Sequence, residues 1–411
     1  MAIINCTKRV LIVFWDRIGE IIARLNILEA LHVARADISI TVVCGEIGIR
    51  LLKNNPYVDE LIPIDSSIYN KILKKAPYDL VIDFLYRKVS HKIISFSRAP
   101  YIIWYNSAAG LLSHPHLDTL ELSDISGKDK KFLESCYYFN KRDNYYICRK
   151  HLSLKHKISL DMLFRRGNLE YLSGPFFQGA KAGFSGKKRI ELWKGHNILD
   201  VNNAIILYLG GHLRKRFWPK IYLSKAERDF ADRFIQDIGI QYDSAKKPII
   251  IGLHPGTGSF KRIWSEANYA RLGKGLLKRY DAKILIFQGP SEEVAANRVS
   301  NLIADSHKTI CVPLLELRKY LSIVSKCNLF ITNDGGPMHL AAALDVPLVG
   351  IFVNSNPNYW FLYSGKPRCY FVCPDFKSSR TNKIRNTKNR LRINEILIND
   401  VFEKAARILE G

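Results

Sequence analysis

The 411-residue chain has no CxxC pair, no D-x-D triplet and no GxxxxGK[ST] phosphate loop, and its apolar runs are short. Its eight cysteines (Cys6, Cys44, Cys136, Cys148, Cys311, Cys327, Cys369 and Cys373) are dispersed. The closest pair, Cys369 and Cys373, has no second pair nearby to complete a tetrahedral zinc site. Buried, reduced thiols are therefore expected. Runs such as Val10–Trp15 and Ala204–Leu209 fall far short of the ~18–20 apolar residues a membrane-spanning helix needs. The first of them meets charge at once and has no small-residue cleavage site, so it reads as a strand and not a signal peptide. Acidic residues are also scarce: 38 Asp+Glu against 62 Lys+Arg leave a net charge of +24. Such a surplus asks for an anionic partner, whether nucleic acid, membrane surface or phosphorylated substrate. No recognisable DNA- or RNA-binding module accompanies it, so nucleic acid is not expected. What is abundant is apolar: 47% hydrophobic and 11% aromatic residues exclude a disordered chain. Composition thus describes a soluble, cytoplasmic, globular and very basic protein.

The apolar runs alternate with helical periodicity. Arg9–Trp15, Ser39–Cys44, Glu60–Ile64 and Asp79–Phe84 read as strands. Between them, Ile18–Ala34, Ile47–Asn54 and Tyr69–Lys75 read as helices. The same grammar restarts at Pro248–Leu253 and continues through strands Lys283–Gln288, Leu329–Thr332 and Pro347–Phe352. Unalternating strands separated by helices predict parallel sheets covered on both faces. The expected fold class is α/β with two Rossmann-like domains, residues 1–245 and 246–411, the boundary falling near Gln241–Lys247. Residues of about 101–241 have weak periodicity and read as an elaboration of the N-terminal domain. Lys377–Arg392 holds seven basic residues and no acid. It is either a solvated loop or a basic arm for phosphate or lipid headgroups. A final amphipathic helix, 393–409, is expected to pack back on the N-terminal domain.

Two loops carry chemistry. Asn333–Leu344 (NDGGPMHLAAAL) follows the strand LFIT, an order of strand, Asp, Gly-Gly and helix. Gly335 and Gly336 allow a sharp turn, and the helix starting near Pro337 offers a partially positive N-terminus to an anion. His339 lies on its first turn. Asp334 is either a ligand-binding group at the strand's end or the helix N-cap. The other loop, His254–Trp264 (HPGTGSFKRIW), sets Gly256, Thr257, Gly258 and Ser259 before Lys261 and Arg262. Those cations suit a phosphate.

HPGTGS with KR and Trp264, the strand ending QGPSEE, and NDGGPMHLAAALDVPLVGIF together resemble glycosyltransferase family 9, the ADP-heptose:lipopolysaccharide heptosyltransferases. RVLIVFWDRIGE resembles that family's opening strand, glycine loop and helix. The resemblance covers about residues 8–85 and 248–411. It implies a GT-B architecture, two Rossmann-like domains facing a central cleft. Asp334, Gly335, Gly336 and His339 match the stretch that binds the donor diphosphate and sugar hydroxyls. Thr257, Gly258, Lys261 and Arg262 match the loop that neutralises the diphosphate, although Ile263 splits the usual KRW. Glu292 or Glu293 matches a carboxylate on the nucleoside ribose. The family's base is an Asp after the first glycine; here Gly19 precedes Glu20, which is either the base or a first-turn helix acid, with Asp16 as fallback. The implied reaction is inverting transfer of a heptose to a lipopolysaccharide core. The donor is ADP-heptose and the acceptor an anionic glycolipid. No cofactor and no metal are expected, and the enzyme would meet the cytoplasmic face of the inner membrane peripherally.

Overall fold

Strands built from unbroken β-branched runs can be buried on both faces only when helices cover a parallel sheet. The computed structural model contains two such sheets. It describes residues 3–14, 17–65, 67–84, 88–104, 137–140, 145–148, 216–240, 249–353, 355, 357–374 and 396–411, with single positions 199, 202, 206 and 209. Asp16, the boundary residues 241–247, the basic run 377–392 and most of segment 101–241 lie outside the described residues.

Contacts divide the chain into two compact units. One comprises Met1–Ile21, Ile27–Phe184 and Val201–Phe217; the other comprises Ile22–Asn26, Ser185–Asp200 and Trp218–Gly411. In the first, β1 (Arg9–Val13) lies between β2 (Ser39–Cys44) and β4 (Leu80–Asp83), with β3 (Glu60–Pro63) and β5 (Tyr101–Trp104) at the edges. All four pairings are parallel. Leu11, Val13, Val43 and Val81 pack with Ile68 and Ile72 of helix Ile68–Lys75 and with Ile93 and Ile94 of helix Lys88–Ser97. A separate antiparallel pair joins β6 (Tyr137–Asn140) to β7 (Tyr145–Cys148). The expected helix over Ile18–Ala34 is two pieces, Ile18–Ile22 and Asn26–Ala34. Asn26 opens the second, where a short polar side chain competes with a continuing helical ladder.

The second unit has six parallel strands in the order β10-β9-β8-β11-β12-β13. They are β8 (Ile249–His254), β9 (Ala282–Ile286), β10 (Thr309–Cys311), β11 (Leu329–Asn333), β12 (Leu348–Ile351) and β13 (Cys369–Val372). β8 and β11 are buried along nearly their whole length, as their sequences require. The last helix, Ile398–Glu410, joins this core: Val401, Ala405 and Ile408 are buried with Leu272 and Leu276 of helix Glu266–Arg279 and with Val372. Burying Val401 and Ile408 contributes about 1.5–3 kcal/mol each. The helix begins five residues later than expected, and its apolar face is buried in its own unit. Cys44, Cys327 and Cys369 are buried and in no disulfide, as expected, whereas Cys6 is exposed. Among the described residues, no helix is long and apolar enough to cross a membrane.

Residues 218–240 belong to the second unit, although the sequence reading gave them to the first. The cause is helix Lys225–Asp237, opened by a capping box in which Ser224 Oγ accepts from Glu227 N at 3.2 Å and Glu227 Oε2 accepts from Ser224 N at 2.7 Å. Its Glu227 then receives a bidentate pair from Arg318, Nε and Nη2 each at 2.7 Å, and Arg318 Nη2 also donates to Tyr222 O at 2.7 Å. Arg318 belongs to helix Leu317–Val324 of the second unit. Burial pushes the Glu227 carboxyl up, but Arg318 and Ser224 outweigh it and hold the carboxyl at about 2, below the ordinary 4.5.

A depressed folded-state value stabilises the fold fully above the unfolded pKa and loses that contribution as pH falls through the folded one. Glu227→Gln is therefore expected to cost roughly 3 kcal/mol at neutral pH. The gap to wild type should narrow between about pH 4.5 and 2, where wild type protonates the same carboxyl. Urea melts at several pH values check this; a gap that stays constant with pH contradicts it.

Candidate functional site

In the second sheet the chain moves outward from β8 through β9 to β10, then returns to β11 beside β8 and continues to β12 and β13. The carboxyl ends of β8 and β11 therefore flank the point where strand order reverses, the position at which open α/β sheets bind ligands. Both motif loops leave the sheet there, with His254 opposite Thr332 in register.

Asn333 ties the loops together. Its Nδ2 donates to Pro255 O at 2.7 Å and its Oδ1 accepts from Trp264 N at 3.0 Å, so one buried amide pins both ends of the segment between them. Trp264 is buried as well, and its Nε1 donates to Ile396 O at 3.3 Å. Asn333→Ala leaves a buried N–H and a buried C=O without partners, a cost of roughly 2–4 kcal/mol. Thermal unfolding of the variant should register that loss. A change under about 1 kcal/mol would mean that water replaces the amide.

Glu292 stands before helix Glu293–Ile303 and does not cap it. Its Oε2 instead accepts from Gly289 N at 2.7 Å and contacts His254 Nε2 at 2.9 Å. Burial raises this carboxyl, yet the hydrogen bonds from His254 and Gly289 outweigh it, and Glu292 stays below its ordinary range. The loop after β8 crosses directly over the carboxylate. A Cβ on Gly256 would lie 2.1 Å from the Glu292 carboxyl carbon, so this position admits only glycine while Glu292 keeps its place. Glu293, one residue on, is exposed. Of the two carboxylates the sequence left open, Glu292 is the one brought to the strand ends.

Asp334 does not act as the helix N-cap. Helix Gly336–Ala343 is preceded by Gly335 in extended conformation, with no side-chain cap. The Asp334 carboxylate is buried; it accepts from Ser355 Oγ and faces Arg262 Nη1 at 3.4 Å. Thr257 Oγ1 reaches Asp334 O at 3.4 Å, bridging the two loops. Lys261 and Arg262 lie in a single 3-10 turn, Phe260–Arg262. Lys261 is exposed, with its ammonium 5.8 Å from the Phe260 ring centre. Among the described residues no carboxylate pairs with it. Gly258 is exposed, with nothing within 4 Å of a Cβ built there.

The first backbone N–H groups of helix Gly336–Ala343 have no intrahelical acceptor, and Pro337 carries none; helix ends of this kind suit an anion. His339 lies in the same helix. It is 3% exposed, and the Tyr363 hydroxyl lies 3.1 Å from its Nδ1 and 3.3 Å from its carbonyl oxygen. The ring fastens the helix to Tyr363. In the first unit, Glu20 occupies the first turn of helix Ile18–Ile22, just beyond β1 and beside that sheet's own reversal between β1 and β4.

The reversal point of the second parallel sheet thus gathers a helix N-terminus, two cations and a held carboxylate. Each unit has its own parallel sheet, which makes the chain an α/β protein. A profile of glycosyltransferase family 9 (heptosyltransferase) matches residues 190–389. It is 28% identical over 216 residues to lipopolysaccharide heptosyltransferase 2 of Salmonella typhimurium. That alignment covers 47% of this chain and 60% of the relative's length. Among solved structures, a family 9 glycosyl transferase from Veillonella parvula superposes with a TM-score of 0.65 at 19% identity, covering 98% of each chain. The Escherichia coli ADP-heptose lps heptosyltransferase II superposes with a TM-score of 0.61 at 15% identity, again over 98% of each chain. At these identities the superpositions establish the fold.

Four residues of the site had no role in the sequence reading: His254, Asn333, Tyr320 and Ser355. His254 and Asn333 stood inside the quoted motifs, and each is the last residue of a central strand. Tyr320 and Ser355 carried no local signal, because only folding brings them to their partners.

Proposed function

We propose that this chain is an inverting glycosyltransferase that moves a heptose from ADP-heptose to an anionic lipopolysaccharide-core acceptor. The observation that carries the reading is Glu292: a carboxylate with one oxygen held by Gly289 and His254 suits a ribose diol at its other oxygen. The diphosphate would then meet the N-terminus of helix Gly336–Ala343, with Lys261 and Arg262 beside it. As the anomeric C–O bond breaks, charge grows on the diphosphate, and fixed donors and cations stabilise it more in the transition state than in the ground state. Glu20 is the proposed base, taking the acceptor hydroxyl's proton as that oxygen attacks the anomeric carbon. Lys261, Arg262 and the helix end neutralise the leaving group in this scheme, and no metal ion is required. Asp334 orients Arg262 and is oriented by Ser355.

The net charge of +24 supports an acidic glycolipid acceptor at the inner membrane's cytoplasmic face. The relatives' name, lipopolysaccharide heptosyltransferase, points the same way. A donor screen read by mass spectrometry tests the proposal, with a truncated lipopolysaccharide core as acceptor. Transfer from ADP-heptose, and none from UDP- or GDP-sugars, is expected. Transfer from a different nucleotide sugar would keep the enzyme class and replace the donor. Binding of ADP-heptose without any transfer, even to protein acceptors, would make the chain a non-catalytic relative.

A further inference from the structure

Behind Glu292 the polar contacts continue into the core. His254 Nδ1 lies 3.0 Å from the Tyr320 hydroxyl, and both side chains are buried. Burial lifts the Tyr320 phenol well above its ordinary value, so the hydroxyl keeps a proton that it can offer to Nδ1. The Glu292 carboxylate oxygen can only accept, so Nε2, which faces it, carries a proton and leaves Nδ1 to the Tyr320 hydroxyl. The ring is also packed in place: His254 meets Tyr320 edge-on and lies against Phe330, and Phe287 touches both Tyr320 and Phe330. Phe287 and Phe330 thus pack against one hydrogen-bonded chain, Tyr320 to His254, that ends on a carboxylate.

We propose that Tyr320 and His254 are positioning residues that set the ribose specificity of the donor site by holding the Glu292 carboxylate in one orientation. This rests on the reading of Glu292 as the ribose acceptor. A carboxylate fixed through one oxygen aims the other at a diol. A site built to accept hydrogen bonds from a ribose discriminates against the analogue that lacks one hydroxyl, because its own acceptor is left unpaired. With Tyr320 removed, the imidazole is free to change tautomer, Oε2 loses a dependable donor, and the carboxylate can turn away. Tyr320 and His254 touch neither sugar nor phosphate in this scheme. Their effect falls on discrimination between nucleotides and not on the chemical step.

The test titrates ADP and 2′-deoxy-ADP into the full chain by calorimetry. Wild type is expected to prefer ADP by about tenfold or more, equivalent to one good hydrogen bond to a charged group. Tyr320→Phe, which keeps the ring and its packing, should reduce the preference to less than about threefold, chiefly by weakening ADP. His254→Leu should do the same, and Glu292→Ala should abolish the preference. If His254→Leu does not fold, Tyr320→Phe is paired with the imidazole ¹⁵N spectrum. That spectrum should show a single Nε2–H tautomer in wild type and a mixture in the variant. A preference lost in Glu292→Ala but intact in Tyr320→Phe overturns the relay and leaves the donor-site reading standing. Wild type binding neither nucleotide overturns both.

Discussion

Replacing Lys261 with Ala is expected to lower kcat by about 10²–10³-fold, the usual cost of removing one preorganised group that stabilises a leaving charge. The substitution isolates electrostatics. Lys261 is exposed and forms no ion pair among the described residues, so the folding midpoint should move by no more than about 0.5 kcal/mol. Arg262 does not allow so clean an experiment. It faces the buried Asp334 carboxylate, and removing it weakens both the cation site and the partner of a buried charge. Single-turnover rates for Lys261→Ala with unchanged thermal stability would support a leaving-group role. A kcat equal to wild type would remove Lys261 from the reaction.

The second large effect is expected at Glu20. Glu20→Gln preserves shape and removes the basic oxygen, and loss of a general base costs about 10²–10⁴-fold in rate. ADP affinity should not change, since the proton transfer concerns the acceptor hydroxyl. If Glu20 serves only as a first-turn acid favoured by the helix dipole, the same substitution costs about 0.3–1 kcal/mol of stability and leaves turnover intact. Glu20→Asp adds a directional control. It restores the residue that the family resemblance implies but withdraws the carboxylate by one methylene, so the rate reports whether position or chemistry limits the base.

Long, unalternating strands were legible in the sequence because their pattern has one structural solution. Ser39–Cys44 and the central β8 and β11 fall within a residue of their expected limits. Elements that escaped are short or carry ordinary composition. β10 has three residues and β13 has four, the latter spelled CYFV. Helix Lys225–Asp237 was missed although Ser224 and Glu227 spell a capping box, because its surroundings lack a clear apolar stripe.

The site divides along the same line. Backbone turns and cations sit next to one another in sequence, so both loops could be read. Which carboxylate enters the site could not: consecutive helical positions differ by about 100° in direction, and only the fold shows that Glu292 turns inward while Glu293 is exposed. Asn333 looks like a turn residue yet is a buried clamp between two loops. Tyr320 lies 66 residues from His254 along the chain, and nothing local to either announces their contact.

The central claim is that the loops after β8, β9 and β11 form one nucleotide diphosphate site. Hydrogen–deuterium exchange with and without ADP tests it directly. Slowed exchange is expected across 254–264, 288–293 and 333–339, with no change in the strands of the first sheet. Bound ADP that protects none of the three segments would contradict the account.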